Sequence, residues 1–135
     1  MAYTGFVIKV KDIEKHSNAD KLQVVKLLGT SVVVGLNVNG GDVMAYFPTD
    51  GRLNYDFALE AGLLREDIGG HKLNGYMDPK KCNVRAIRLR GESSDGILVP
   101  IDILESFTGE KFKVGDKIGI IGGTVICEKY VPVSD

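Results

Sequence analysis

The chain has 135 residues, of which 44% are apolar and 26% charged, and its formal net charge is -1. That length fits one domain able to bury roughly two-thirds of its unfolded surface, and the near-neutral balance excludes binding through an evenly charged surface while leaving room for a local basic face. No apolar run approaches the ~20 residues of a membrane helix, and no small-residue cleavage site follows the short apolar patch of the N-terminus, so neither a membrane span nor a signal peptide is expected.

The dominant period along the chain is two. In "TGFVIKVK", Phe6, Ile8 and Val10 share one face and Lys9 and Lys11 the other, the pattern of a strand buried on one side. The valine-rich "KLQVVKLLG" and "SVVVGLNV" follow, with a break at Gly29 and Thr30 that reads as a hairpin turn. "NVNGGDVMAYF" supplies a glycine-rich turn and a strand at residues 43–47; Phe47 alternates with Ala45 and Val43 and is assigned to the core, which leaves Tyr46 for the surface. Residues 54–64, "NYDFALEAGLL", place Phe57, Ala61 and Leu64 at helical spacing, with Asn54 or Asp56 as N-cap. Residues 65–81 are polar and glycine-bearing and read as a long loop that carries Tyr76.

The next stretch, "VRAIRLRGESSDGILVP", carries most of the chemical signal. By alternation Arg85 shares a face with Ile87 and Leu89, whereas Arg88 and Arg90 share that of Val84 and Ala86, so the pattern is imperfect and suggests a bulge or a strand crossing between environments. The turn at residues 91–96 should close a hairpin whose return, residues 97–99, enters the core. "PIDILESF" reads as one or two helical turns, and "FKVGDKIGIIGGTVICEKY" repeats the turn-then-strand pattern. At least six short strands, seventeen glycines and one or two short helices favour an all-β fold, a small closed or nearly closed barrel.

Catalytic signals are sparse. "GIIGG" leads into a strand and lacks the helix N-terminus of a phosphate loop. His16 and His71 lie in polar sequence outside any ligand cluster and read as surface histidines, and Ser93 and Ser94 lack a nucleophile-elbow context. Lys72 sits in "KLNG", one residue away from a Lys-x-Asp-Gly adenylation motif, and reads as loop. Cys82 and Cys127 match no zinc or redox spacing, which fits reduced thiols and a cytoplasmic location.

Five cations, Lys80, Lys81, Arg85, Arg88 and Arg90, fall in eleven residues with no acid before Glu92. One reading is a solvated strand face whose charges protect a sheet edge. The other is a surface that tracks phosphates, for which arginine's planar fork is suited, with Tyr46 and Tyr76 as stacking rings.

Several stretches together resemble one family. "HSNADKLQVVKLLG", "NGGDVMAYFPTDGRL", "NVRAIRLRGESSDGILVP" and "EKYVP" occur in the order seen in ATP-dependent RNA ligases with an N-terminal OB-type domain, the Deinococcus type and its phage relatives. A weaker resemblance, through "ADKLQVVKLLG" and "LRGESSDGILV", is to the tRNA-binding OB domain of synthetase-associated proteins. The ligase resemblance implies an OB-type barrel over residues 1–126 and an extension over 127–135 leading toward a nucleotidyltransferase domain, which would begin where this chain stops. It implies RNA, as a nicked duplex or a 3′-hydroxyl end, as partner. ATP and magnesium would belong to the missing domain, and this chain alone would hold no cofactor and no catalytic residue. A tRNA-binding module and a protein-interaction barrel remain as alternatives.

Overall fold

The computed structural model describes residues 3–17, 20, 22–27, 29–64, 77–78, 80–89 and 91–131. In chain order these form β1 (Gly5–Lys9), β2 (Asp12–Lys15), β3 (Leu22–Leu27), β4 (Thr30–Gly35), β5 (Val43–Phe47), β6 (Gly51–Leu53) and helix α1 (Tyr55–Glu60). There follow β7 (Asn83–Val84), β8 (Ile87–Leu89), β9 (Glu92–Ser94), β10 (Ile97–Pro100), helix α2 (Ile101–Thr108), β11 (Lys117–Ile118), β12 (Ile120–Ile121), β13 (Thr124–Val125) and β14 (Cys127–Lys129). The class is all-β, and none of the described helices is long and apolar enough to cross a membrane.

A four-stranded antiparallel sheet, β10-β5-β1-β11, forms the middle of the molecule. On one side Val7, Ala45, Phe47 and Val99 join a core with Leu53, Phe57, Leu104, Ile118 and Ile126. On the other, Met44 and Val10 pack with Val25 and Val38, backed by Ile8, Val34 and Leu98. β1 is therefore covered on both faces, where alternation suggests one. Val7, on the face shared with Lys9, is as buried as Val10.

Local signals set the connections. β3 and β4 pair in a hairpin from Leu22↔Gly35 to Leu27↔Thr30, and Gly29 takes φ 77° at its tip, a conformation that costs glycine little. Asn54 caps α1: its Oδ1 accepts from the Phe57 N–H at 3.1 Å. Gly109, at φ 77°, ends α2 and donates its N–H to the Glu105 carbonyl at 2.8 Å. The two helices meet through Phe57 and Phe107, whose ring centroids lie 5.5 Å apart, and Phe57 meets Phe47 edge-on at 5.7 Å.

The described strands do not close into a barrel, which corrects the expected OB-type architecture. The described strands form five separate sheets: the central one, β14-β6-β7, β2-β3-β4, β8-β9 and β12-β13. Two interruptions divide them. Between β5 and β6 stands Pro48, which has no N–H for a ladder, followed by Asp50 at φ 71°. Between β7 and β8, Arg85 and Ala86 pair with no strand, and the chain passes from the sheet of β6 to that of β9. Side chains bridge the gaps instead of ladders. Ser94 Oγ accepts from the Val33 N–H at 3.0 Å and Ser31 Oγ donates to the Ser93 carbonyl at 3.0 Å, fastening β9 against β4.

Three further expectations change. The turn expected over residues 91–96 contains β9, and the hairpin closes where Leu89 pairs with Glu92. Residues 127–129, expected in an extension, form β14, paired with β6 from Cys127↔Leu53 to Lys129↔Gly51. His16, expected at the surface, is 2% exposed and donates its backbone N–H to the Leu22 carbonyl. Cys82 and Cys127 are buried, and among the described residues they form no disulfide.

Candidate nucleic-acid interface

The cationic stretch is built around a tight turn. Asp78 Oδ1 accepts from the N–H groups of Lys80 and Lys81 at 2.8 and 3.4 Å, and the Cys82 N–H returns to the Asp78 carbonyl at 2.7 Å. Cys82 adopts φ 50° there, and its own carbonyl accepts from the Leu53 N–H. Lys80 and Lys81 are thus held exposed at the start of β7. Val84 then points into the core, and Arg85 emerges exposed at the break before β8.

Among the described residues, no ion pair involves Lys80, Lys81 or Arg85. Arg88 is exposed on β8 but partly engaged, since its Nη1 donates to the Gly91 carbonyl at 3.3 Å and clasps its own hairpin. Arg90 and Tyr76 lie outside the described residues, as do Lys72 and His71.

Tyr46 does not offer a stacking face. It is 4% exposed, and its hydroxyl donates to the Asp95 carbonyl at 3.0 Å. Burial first, and then the nearby Asp95 carboxylate, push its phenol above the ordinary 10.0. The alternation that separates Tyr46 from Phe47 is real, but β5 lies inside the central sheet with a core on each face, so both rings are buried.

One cation escaped sequence reasoning. Arg52, exposed on β6, is the register partner of Asn83 and lies on the outward face of the sheet, between Asn83 and Glu128. The signal is the Gly-Arg-Leu alternation, in which both neighbours are buried. Nothing local, however, connects residue 52 with residues 80–85. Arg52 on β6, Lys80 and Lys81 before β7 and Arg85 after it are thus exposed cations at the two ends and the side of one short strand, groups that donate charge-assisted hydrogen bonds to anions. Among the described residues, no group of His, Cys, Asp and Glu side chains could hold a metal ion.

No protein-family model and no curated protein matches the chain. Solved structures do. An RNA ligase of Naegleria gruberi with pyrophosphate superposes with a TM-score of 0.65 at 20% identity, over 97% of this chain and 36% of that one. A lysine-to-alanine variant of the same ligase with ATP and manganese gives a TM-score of 0.65 at 20% identity over 100% of this chain and 38% of that chain. A glutamate-to-alanine variant with AMP and manganese gives 0.56 at 21% identity, over 83% and 31%. The chain spans about a third of the length of the ligases it matches. At this identity the likeness shows the fold: this chain folds as a domain-sized part of an RNA ligase does.

Proposed function

We propose that the chain is the RNA-engaging module of an ATP-dependent RNA ligase, acting at a 3′-hydroxyl end or nick. Adenylation, with ATP and magnesium, would be carried out by a nucleotidyltransferase domain elsewhere in the ligase, in the cytoplasm. The observation that carries this reading is the superposition of the whole chain on about a third of an RNA ligase. The exposed cations around β7 supply a chemistry for it: Lys80, Lys81 and Arg85 have no acidic partner among the described residues, which is what a phosphate-binding strip requires.

The test is RNA binding as a function of salt. The chain should bind a nicked or single-stranded RNA weakly, at about 10⁻⁶–10⁻⁴ M near physiological salt, and lose affinity steeply as salt rises. Replacing Lys81 and Arg85 together by alanine should reduce the slope of log K against log salt by about one unit for each phosphate no longer held. An unchanged slope would make those cations surface charge only. Tighter binding to folded tRNA than to nicked RNA would favour a tRNA-binding module, and no preference for RNA over heparin would favour a protein-interaction domain.

A further inference from the structure

Beside the basic strip lies a cleft of about 290 Å³, close to the lower end of the roughly 300–1,000 Å³ typical of small-ligand sites. Its walls are mainly apolar: Val32 and Val34 from β4, Met44 from β5, Met77, Ile87 from β8 and Leu98 from β10. The polar side chains on the lining are Asn37, Ser94, whose hydroxyl is taken up by the Val33 N–H, and Asn83 and Arg85, one on each side of the inward-pointing Val84. Arg85 is exposed and makes no ion pair among the described residues.

Such a cleft selects for a particular chemistry. Aliphatic walls reject a phosphate or a free carboxylate, because burying a charge without a partner is costly. They accept a flat, weakly polar ring, and two methionine thioethers make favourable contacts with aromatic edges. The Asn83 amide carries an acceptor and two donors, enough to pair with the edge of such a ring. Arg85 calls for an anion attached to that ring, held near the surface. A nucleotide has both parts: a planar base and a phosphate at the reach of a sugar. Bases of single-stranded RNA are splayed out and read by their edges in this way, and extrusion costs least where the base is already unpaired.

We propose that the cleft takes one unpaired nucleobase of an RNA strand, with Asn83 on the base edge and Arg85 on the adjoining phosphate. The inference rests on the RNA-ligase-module reading and adds to it a contact that simple phosphate tracking does not need.

The experiment compares a short oligoadenylate, an abasic ribose-phosphate strand of the same length and free adenosine 5′-monophosphate. Each is titrated into the intact chain, with methyl NMR of Met44, Met77 and Ile87 as the local readout. Oligoadenylate should bind about tenfold or more tightly than the abasic strand, as the removal of a seated base implies, and should shift those methyl signals. A Val34→Phe variant, which fills the cleft, should bring oligoadenylate down to the abasic level while keeping the salt slope. The methyl shifts in the unaltered chain decide the matter if that variant folds poorly. Equal, salt-dependent binding of both strands with unmoved methyls would overturn the cleft proposal and leave the module reading standing. No binding of either strand would overturn both. Free adenosine monophosphate binding as tightly as the oligomer would overturn the assignment to a strand, and methyl shifts produced by an apolar peptide but by neither RNA would make the cleft a protein site.

Discussion

The hydroxyl of Tyr46 donates to the carbonyl oxygen of Asp95 at 3.0 Å, joining the buried strand β5 to the turn between β9 and β10 across 49 positions of sequence. Gly96 makes the approach possible. It stands at φ 126°, and a Cβ there would lie 2.6 Å from Tyr46 Cε1 and 2.8 Å from the Phe47 carbonyl oxygen. Tyr46→Phe should therefore cost about 0.5–1.5 kcal/mol, one net hydrogen bond. Gly96→Ala should cost more, because backbone strain of about 1–3 kcal/mol adds to the overlap. Urea denaturation of both variants measures the difference, and an unmoved midpoint in Gly96→Ala would show that the turn yields freely.

Asn54 has two tasks: its Oδ1 caps α1 at Phe57, and its Nδ2 donates to the Val125 carbonyl at 3.1 Å. Asn54→Ala should lose about 0.5–2 kcal/mol, the usual cost of removing an N-cap. Asn54→Asp keeps the acceptor and loses the donor, so it should recover most of that loss. Equal instability of the two variants in thermal melts would assign the weight to the Val125 hydrogen bond instead.

Stability should fall at alkaline pH. The Cys127 thiol donates to the Ile118 carbonyl at 3.1 Å, and burial pushes its pKa from the ordinary 9.0 to about 11, against the lowering effect of a backbone hydrogen bond at Gly5. Between pH 9 and 11 the unfolded chain holds fewer protons than the native one. The contribution of the neutral thiol is thus complete below pH 9 and lost as pH rises through 11. Burial also raises the phenols of Tyr3 and Tyr46, which extends the decline. A Cys127→Ala variant should show a shallower loss from pH 9 to 11 in denaturation midpoints, and an identical profile would remove Cys127 from the cause.

In a ligase that contains this domain, removing residues 1–120 should leave self-adenylation largely intact. Sealing of a nicked duplex should slow by about tenfold or more, each factor of ten being about 1.4 kcal/mol of barrier, because positioning of the ends serves the later steps. The isolated chain should gain no AMP on incubation with ATP and magnesium. Intact-protein mass and single-turnover sealing, compared at matched folding, separate the two roles. Equal losses in both steps would mean that the domain supports the enzyme's fold rather than its hold on RNA.

Some of this molecule can be read directly from its residues. The β3–β4 turn follows from a glycine free to take φ 77°, and the start of α1 from an asparagine able to cap it. The mixed pattern around Arg85 marks a break, where the chain leaves the sheet of β6 and starts a new strand paired with β9. These features depend on a few neighbouring residues, so sequence by itself determined them, along with the all-β class and the cluster of cations.

Tertiary structure decided what alternation could not. A period of two separates the faces of a strand, but it tells inside from outside only when one face is wet. β5 has a core on each side, which is why Tyr46 is as enclosed as Phe47. Closure of the sheets depended on whether ladders continue past Pro48 and past Arg85, and they do not. The meeting of Arg52 with Asn83, and of Val34 and Met44 with Arg85 around one cleft, is set by strand register and packing between segments distant in sequence. Local composition carries no record of such pairings, because their energy exists only once the strands are side by side.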